Sequence, residues 1–159
     1  MIRPELGYEF RNKALLKQAL THSSALSEPR VSRSGSNERL ATLGDAVLDL
    51  VVATRLHSES KGSYLTSAKG DLTIERSVVS NKRLAEFSSQ LGLRLHLIIS
   101  PGQKNIGISD LMLAQVYEAI LGAIFLDSSY GEASEFIHRT VLPATICCEP
   151  TLSERHPNS

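Results

Sequence analysis

The chain has 159 residues, of which 42% are hydrophobic, so it can bury the core of one domain and has little length for a second. Its 17 basic and 17 acidic residues cancel, which excludes an overall positive field that would attract nucleic acid or an anionic membrane. A polyanionic ligand must therefore be bound by a local basic patch or through metal ions.

The cysteines and the lengths of the apolar runs indicate the cellular compartment of the protein. The two cysteines, Cys147 and Cys148, are adjacent and form neither a disulfide framework nor a metal-ligand pattern. No apolar run approaches the roughly 20 residues that cross a bilayer, and no apolar signal-peptide region stands near residue 1. We therefore expect a protein of the cytoplasm, or of an organelle matrix, with no membrane contact.

In the first half of the chain, apolar residues recur at three and four residue steps and predict two helices. The first covers residues 12–20, with Asn12 as its cap. The second covers about 37–58, and its apolar content predicts a central, largely buried helix. Between them, residues 27–36 contain proline, glycine and serine together with Arg30 and Arg33, which predicts an exposed basic loop.

The second half predicts four further helices, at 66–80, 81–91, about 110–126 and 131–142. Gly92 is expected to end the second of these, Ser109 or Asp110 to cap the third, and Pro143 to stop the fourth. The segment PGQKNIG at 101–107 is predicted to be a flexible loop that carries Lys104. The pattern is that of an all-α domain over 1–148, followed by a disordered polar tail over 149–159.

Acidic residues inside the two most apolar helices are the candidate catalytic or metal-binding residues. Asp45 lies seven residues after Glu38 on the same helical face, and Glu118 stands among apolar neighbours in the late helix. A carboxylate in such surroundings is costly unless it is paired or binds a metal. Small residues allow the two helices to approach closely and bring Asp45 and Glu118 together: Gly44, Ala46, Ala119 and Gly122.

Two interpretations of these carboxylates follow from their chemistry. Opposed carboxylates in a partly buried site repel each other, and a hard divalent cation such as Mg²⁺ relieves the repulsion. Such a cation can polarise a phosphate and activate a water, which is the chemistry of phosphodiester hydrolysis. Alternatively, Asp45 pairs with a basic residue such as Arg39 or Arg76, and Glu118 hydrogen-bonds locally. Spacing alone leaves both interpretations open.

Four segments of the chain resemble the ribonuclease III family, and they occur in the family's order. NERLATLGDAVLDL at 37–50 resembles the signature, usually NERLEFLGDAVL, and LAQVYEAILGAIFLD at 113–127 resembles the second motif, usually LADxFEAxxGAIYLD. LGYEFRNKALLKQALTHSS at 6–24 and VVSNKRLAEF at 78–87 match two further segments. The resemblance covers about 6–136 and implies an all-α ribonuclease III endonuclease domain.

The resemblance also implies an assembly and a reaction. The family's domains form homodimers through the signature helix, and a valley between the subunits accommodates double-stranded RNA. Each subunit hydrolyses one strand with Mg²⁺, for which Mn²⁺ is the alternative cofactor. Recognition of the duplex would rest on its shape, phosphates and 2′-hydroxyls rather than on base edges. A heterodimer with a fully active partner is the alternative assembly.

Carried over by resemblance, the family's four metal-site carboxylates fall at positions 41, 45, 115 and 118. Asp45 and Glu118 are kept, whereas Ala41 and Gln115 replace a glutamate and an aspartate. Glu38, whose family counterpart supports RNA contact and the site, is also kept. The resemblance therefore implies Glu38, Asp45 and Glu118 as catalytic residues. It implies Asp45 and Glu118 as metal ligands, with Gln115 acting through a water.

Four basic residues are the candidates for RNA contact: Arg30, Arg33, Lys69 and Lys104. Arg30, Arg33 and Lys104 stand in predicted exposed loops, where a lysine or arginine can reach a phosphate or simply remain solvated. Lys69 precedes Gly70, at the point where the family often has an acidic residue.

Two functions are compatible with the reduced site. The Mini-ribonuclease III branch has small or neutral residues at the same two places, needs no separate double-stranded-RNA-binding domain, and still cleaves. This favours a double-stranded-RNA-specific endoribonuclease that acts in RNA processing. Other family members, in ribosomes and RNA-editing assemblies, have lost carboxylates and serve as structural or RNA-binding subunits. The alternative is therefore a catalytically inactive RNA-binding or scaffold subunit.

Overall fold

A computed structural model describes residues 5–28, 35–59 and 79–141, with the backbone alone for 56–59. Six α-helices lie in these ranges: α1 (Lys13–Ala19), α2 (Glu38–Glu59), α3 (Asn81–Gln90), α4 (Pro101–Ile106), α5 (Asp110–Asp127) and α6 (Tyr130–Thr140). Short 3₁₀ turns cover Ser23–Ser27 and Leu93–Leu95, and the β-pairing in these ranges is a single bridge between Thr21 and Ile98. The predicted all-α class is confirmed. None of the helices described is long and apolar enough to cross a membrane.

Small polar side chains define where the helices begin. In five of the six, the residue before the first turn accepts a hydrogen bond from a backbone N–H of that turn: Asn12, Ser80, Ser100, Ser109 and Ser129. Such caps satisfy amides that have no partner within the helix. The predicted caps at Asn12 and Ser109 are confirmed. The end of α3 at Gly92, whose φ is 68°, is confirmed as well.

The predicted flexible loop at 101–107 is wrong, because this segment forms helix α4. The hydroxyl of Ser100 accepts from the backbone N–H of Gln103 at 3.1 Å, and Pro101 occupies the first turn, where its missing N–H costs nothing. Gly107, with φ of 103°, ends the helix. Proline and glycine therefore mark the two ends of a helix here, and Lys104 is exposed on it.

Some predicted segments lie outside the described residues. These are the loop residues 29–34, the stop at Pro143, the tail over 149–159 and all but the last two residues of the helix predicted at 66–80. Those two, Val79 and Ser80, are not helical, since Ser80 caps α3.

The central helix is α5, which corrects the prediction that the helix at 37–58 would be central. From Met112 to Ile124, α5 is buried on almost every side. Helix α2 packs one face against it and leaves the other exposed, and Leu50 is 54% accessible to solvent. Both helices are rich in apolar residues, but only the one that is apolar around its whole circumference lies at the centre.

The α2–α5 contact is so close that it excludes side chains. A Cβ atom on Gly44 would overlap the carbonyl oxygen of Glu118, and one on Gly122 would overlap the carbonyl oxygen of Leu40. The predicted close approach of the two helices is therefore confirmed, with Gly44 and Gly122 as its points of contact. Ala46, which was predicted to take part, is exposed.

We expect Gly44→Ala to lower the free energy of unfolding by about 3 kcal/mol, because the new methyl group must push two helix backbones apart. The matched control is Gly131→Ala in α6, where the new Cβ would lie 3.6 Å from the Ser129 hydroxyl. That change should leave stability unaltered or raise it by up to about 1 kcal/mol. Urea denaturation measures both variants, and equal midpoints would contradict the backbone contact.

Candidate active site

An open cleft of about 540 Å³ lies where α2, α5 and the start of α3 meet. Its lining includes all five positions selected from the sequence: Glu38, Ala41, Asp45, Gln115 and Glu118. Four further residues complete it: Thr42, Asn81, Leu111 and Ala114. The structure therefore brings the predicted site residues together in one place.

The helical repeat and the glycine contact explain this arrangement. Glu38, Ala41 and Asp45 are three and four residues apart, so they follow one face of α2, and Gln115 and Glu118 do the same on α5. Gly44 precedes Asp45 and packs on the carbonyl of Glu118. The contact between Gly44 and Glu118 thus places the carboxylates of Asp45, on α2, and Glu118, on α5, in the same cleft.

This arrangement makes ionisation of the Glu118 carboxyl unfavourable. Burial, and to a smaller extent the negative charge of Asp45, together raise the pKa of the Glu118 carboxyl to about 7. Glu118 is partly buried, whereas Asp45 is exposed to solvent. The pair therefore favours a proton or a cation beside it at neutral pH.

Local pairing does not relieve this repulsion within the described ranges. There, no ion pair joins Asp45 to a basic side chain, and Arg39 is exposed. The side chain of Glu118 has no hydrogen-bond partner among these residues. Arg76, the other basic residue considered for Asp45, lies outside them. Among the described residues, neither pairing expected under the structural interpretation is therefore present.

The donor set fits a hard divalent cation that is held by few protein ligands. The carboxylates of Asp45 and Glu118 and the neutral amide of Gln115 line the cleft together with Glu38, whereas Ala41 is buried and offers no donor. Among the described residues, no group of three or more His, Cys, Asp or Glu side chains could hold a metal ion. Mg²⁺ is often bound through one or two carboxylates, with water and substrate phosphate completing its shell.

Glu38 lies at the rim of the cleft, in the first turn of α2. Its Oε2 accepts a hydrogen bond from the Ser36 hydroxyl at 3.3 Å, and its side chain is exposed. A negative charge at this end of a helix is favourable because of the helix dipole.

Asp127, the last acidic residue of the second motif, has a structural role instead. Its carboxylate accepts hydrogen bonds from the Tyr8 hydroxyl at 2.8 Å and from the backbone N–H groups of Arg11 and Asn12 at 2.8 and 2.7 Å. It thereby attaches the segment before α1 to the end of α5. Neither its position nor its hydrogen bonds connect it with the cleft.

The residues predicted to bind RNA lie apart from the cleft lining or outside the described ranges. Lys104 is exposed on α4 and is not among the lining residues. Arg30, Arg33 and Lys69 belong to segments that the structure does not describe. Sequence reasoning missed Asn81, because nothing in the local pattern of VVSN connects the start of α3 with the two acidic motifs.

The fold is that of the nuclease domain of ribonuclease III. The nuclease domain of the Campylobacter jejuni enzyme superimposes with a TM-score of 0.78 at 32% identity, covering 88% of this chain and 90% of that one. A second structure of that domain gives a TM-score of 0.74 at 35% identity, with 87% and 92% coverage. In that Campylobacter jejuni structure, a region of the nuclease domain that is involved in dimer formation is flexible.

The chain belongs to the ribonuclease-III-like family, whose model matches residues 12–145. Ribonuclease 3 of Oceanobacillus iheyensis is 36% identical over 148 residues, which cover 89% of this chain and 63% of the relative. Ribonuclease 3 of Fusobacterium nucleatum is 39% identical over 135 residues, which cover 83% and 56%. The chain thus spans less than two thirds of these relatives, and the resemblance seen in its motifs is confirmed.

Without metal, we expect Glu118→Gln to raise stability at about pH 8 by on the order of 1 kcal/mol, discounted for partial exposure. The pKa of Glu118 is raised from 4.5 in the unfolded chain to about 7 in the folded protein. Its protonated form therefore favours the folded state fully below pH 4.5, and this contribution to stability is lost as pH rises through 7. The gain should therefore disappear at about pH 4.

Asp45→Asn is the comparison variant for this experiment. It should give a smaller gain than Glu118→Gln, because burial is the larger cause of the raised pKa and the charge of Asp45 the smaller. Thermal unfolding in chelator, followed at both pH values, measures these differences. A gain from Glu118→Gln that is equal at the two pH values would contradict the assignment.

Proposed function

We propose that the chain is an endoribonuclease that cleaves double-stranded RNA by metal-dependent phosphodiester hydrolysis, using a reduced carboxylate site in RNA processing. The observation that carries this proposal is the partly buried Glu118, whose pKa is raised beside Asp45 in an open cleft. The cleft is accessible from solvent, as a site for a polymer must be. Membership of the ribonuclease-III-like family supports the same reaction.

The residues of the cleft have distinct parts in this reaction. Asp45 and Glu118 would hold Mg²⁺, or alternatively Mn²⁺, and the ion when bound would supply polarisation of the phosphate and activation of a water. The amide of Gln115 lies beside these carboxylates and would orient a water through its oxygen or its NH₂ group. Glu38, at the rim, would position water and RNA at the entrance.

A homodimer through α2 is part of the proposal. Ala46 and Leu50 are exposed on this helix, and a stripe of exposed apolar residues is favourable to cover with a second subunit. Two clefts would then serve the two strands of one RNA duplex. In a heterodimer, a fully active partner would supply the second site.

We expect the purified chain to cut a labelled RNA duplex of about 30 base pairs in Mg²⁺ or Mn²⁺ and to leave it intact in chelator. Asp45→Asn and Glu118→Gln should each abolish cleavage, because each removes one of the two carboxylates proposed to hold the metal ion. Glu135→Gln, the same isosteric change at an exposed position of α6, serves as the matched control and should cut normally. Products with short 3′ overhangs, resolved on a denaturing gel, would identify cleavage of both strands.

A non-cleaving RNA-binding or scaffold subunit is the second candidate. The observation that favours it is the lack, among the described residues, of any group of three His, Cys, Asp or Glu side chains able to hold a metal. Ala41 and Gln115 leave the cleft with two fewer negative charges than four carboxylates would give. Duplex binding without cleavage in either metal would support this candidate and contradict the nuclease.

Ala41→Glu combined with Gln115→Asp distinguishes the two functions, because both positions line the cleft and the pair restores two carboxylates. In an active enzyme, the double variant should lower the Mg²⁺ concentration needed for half-maximal cleavage by about tenfold or more, since added carboxylates raise cation affinity. Cleavage that appears only in the double variant would identify the native chain as a degenerate relative. A magnesium titration of the initial rate provides the measurement.

A further inference from the structure

We propose that Asn81 is a positioning residue that donates a hydrogen bond to a backbone phosphate of the RNA, next to the two-carboxylate site. The proposal rests on the proposed function in one respect, namely that this cleft receives duplex RNA. It adds a contact that neither acidic motif contains, contributed by a third helix.

The placement of Asn81 leaves its side chain available to a ligand. Asn81 is exposed, is the first residue of α3, and lines the cleft together with Asp45 and Glu118. The preceding Ser80 caps the helix, since its hydroxyl accepts from the backbone N–H of Arg83 at 3.5 Å. Within the described ranges, the amide of Asn81 has no hydrogen-bond partner. Its side chain therefore has no structural task there.

Helix α3 also holds Asn81 at a fixed position relative to the carboxylates. The buried hydroxyl of Ser88 donates to the carbonyl oxygen of Leu113 at 2.6 Å, which joins α3 directly to α5. Leu84 and Phe87 belong to the same buried core as α5. A side chain on such a rigid element can orient a substrate more precisely than one on a loop.

The chemistry of the cleft shows why a donor is needed at this point. Glu38, Asp45 and Glu118 are acceptors when ionised, and they repel the phosphates of RNA. The amide of Asn81 offers two N–H donors and adds no negative charge. The next residue, Lys82, is exposed and adds positive charge, whereas the charge of Arg83 is shared with Glu86 at 3.4 Å. The start of α3 is therefore the part of the rim that is favourable for a phosphate.

The test is the dissociation constant of a labelled RNA duplex of about 30 base pairs in chelator, measured by fluorescence anisotropy so that no cleavage intervenes. Asn81→Asp should weaken binding about tenfold, by removing a donor and adding repulsion, and Asn81→Lys should strengthen it and steepen the salt dependence by about one phosphate contact. The matched control, Gln90→Glu, adds the same charge at the exposed far end of α3 and should change the constant less than about twofold.

Thermal unfolding separates this role from a structural one. An aspartate in the first turn is favourable for a helix, so Asn81→Asp should bind RNA less well without a lower melting temperature. Equal effects of Asn81→Asp and Gln90→Glu would overturn the proposal while leaving duplex binding, and with it the proposed function, intact. Failure of Asn81→Lys to strengthen binding would overturn the assignment to phosphate. Absence of duplex binding by the native chain would overturn both this proposal and the proposed function.

Discussion

The site depends on the backbone contact between α2 and α5 at Gly44 and Gly122. Because no side chain fits between the two helices, the carbonyl of Glu118 packs directly on the residue that precedes Asp45. A larger residue at either glycine would separate the helices and the carboxylates together. The same backbone contact therefore packs the two helices and assembles the site. A change in one also changes the other.

The apolar core supplies the stability that this strained electrostatic arrangement requires. Residues on both sides of Glu118 are buried, and the hydroxyl of Tyr117 shares a hydrogen bond of 2.5 Å with Thr140 while its ring lies against Phe136. Each large apolar side chain that is fully buried contributes roughly 1.5–3 kcal/mol. Several such residues on α5 outweigh the repulsion between one pair of carboxylates. The helix can thus hold Glu118 where its ionised form is unfavourable, as functional groups often are held.

Sequence reasoning predicted the carboxylate pair because local spacing and small residues determine it. Asp45 follows Gly44 in the chain, and Glu118 lies four residues before Gly122, so the same helical repeat that aligns the glycines aligns the acids. Sequence reasoning failed where the outcome depends on tertiary contacts or on helix capping. The apolar residues of α2 did not reveal that Leu50 faces solvent, and proline and glycine in PGQKNIG were interpreted as breaks although a serine cap makes them helix ends. Asn81 lies in a segment that resembles the family but outside both acidic motifs, and only the docking of α3 on α5 brings it to the cleft.

The neutral residues Ala41 and Gln115 affect the cleft in a way that both proposed functions share. With Ala41 and Gln115 in place of acids, fewer negative charges oppose an approaching phosphate, so less of its repulsion must be neutralised by a cation. The cleft then relies more on neutral donors, and Gln115 and Asn81 provide amides on different helices beside the remaining pair. The proposed cleavage would in addition require Asp45 and Glu118 to hold a cation beside the phosphate. The distinction between a nuclease and an RNA-binding subunit therefore lies in metal affinity, since both would bind the duplex through the same surface.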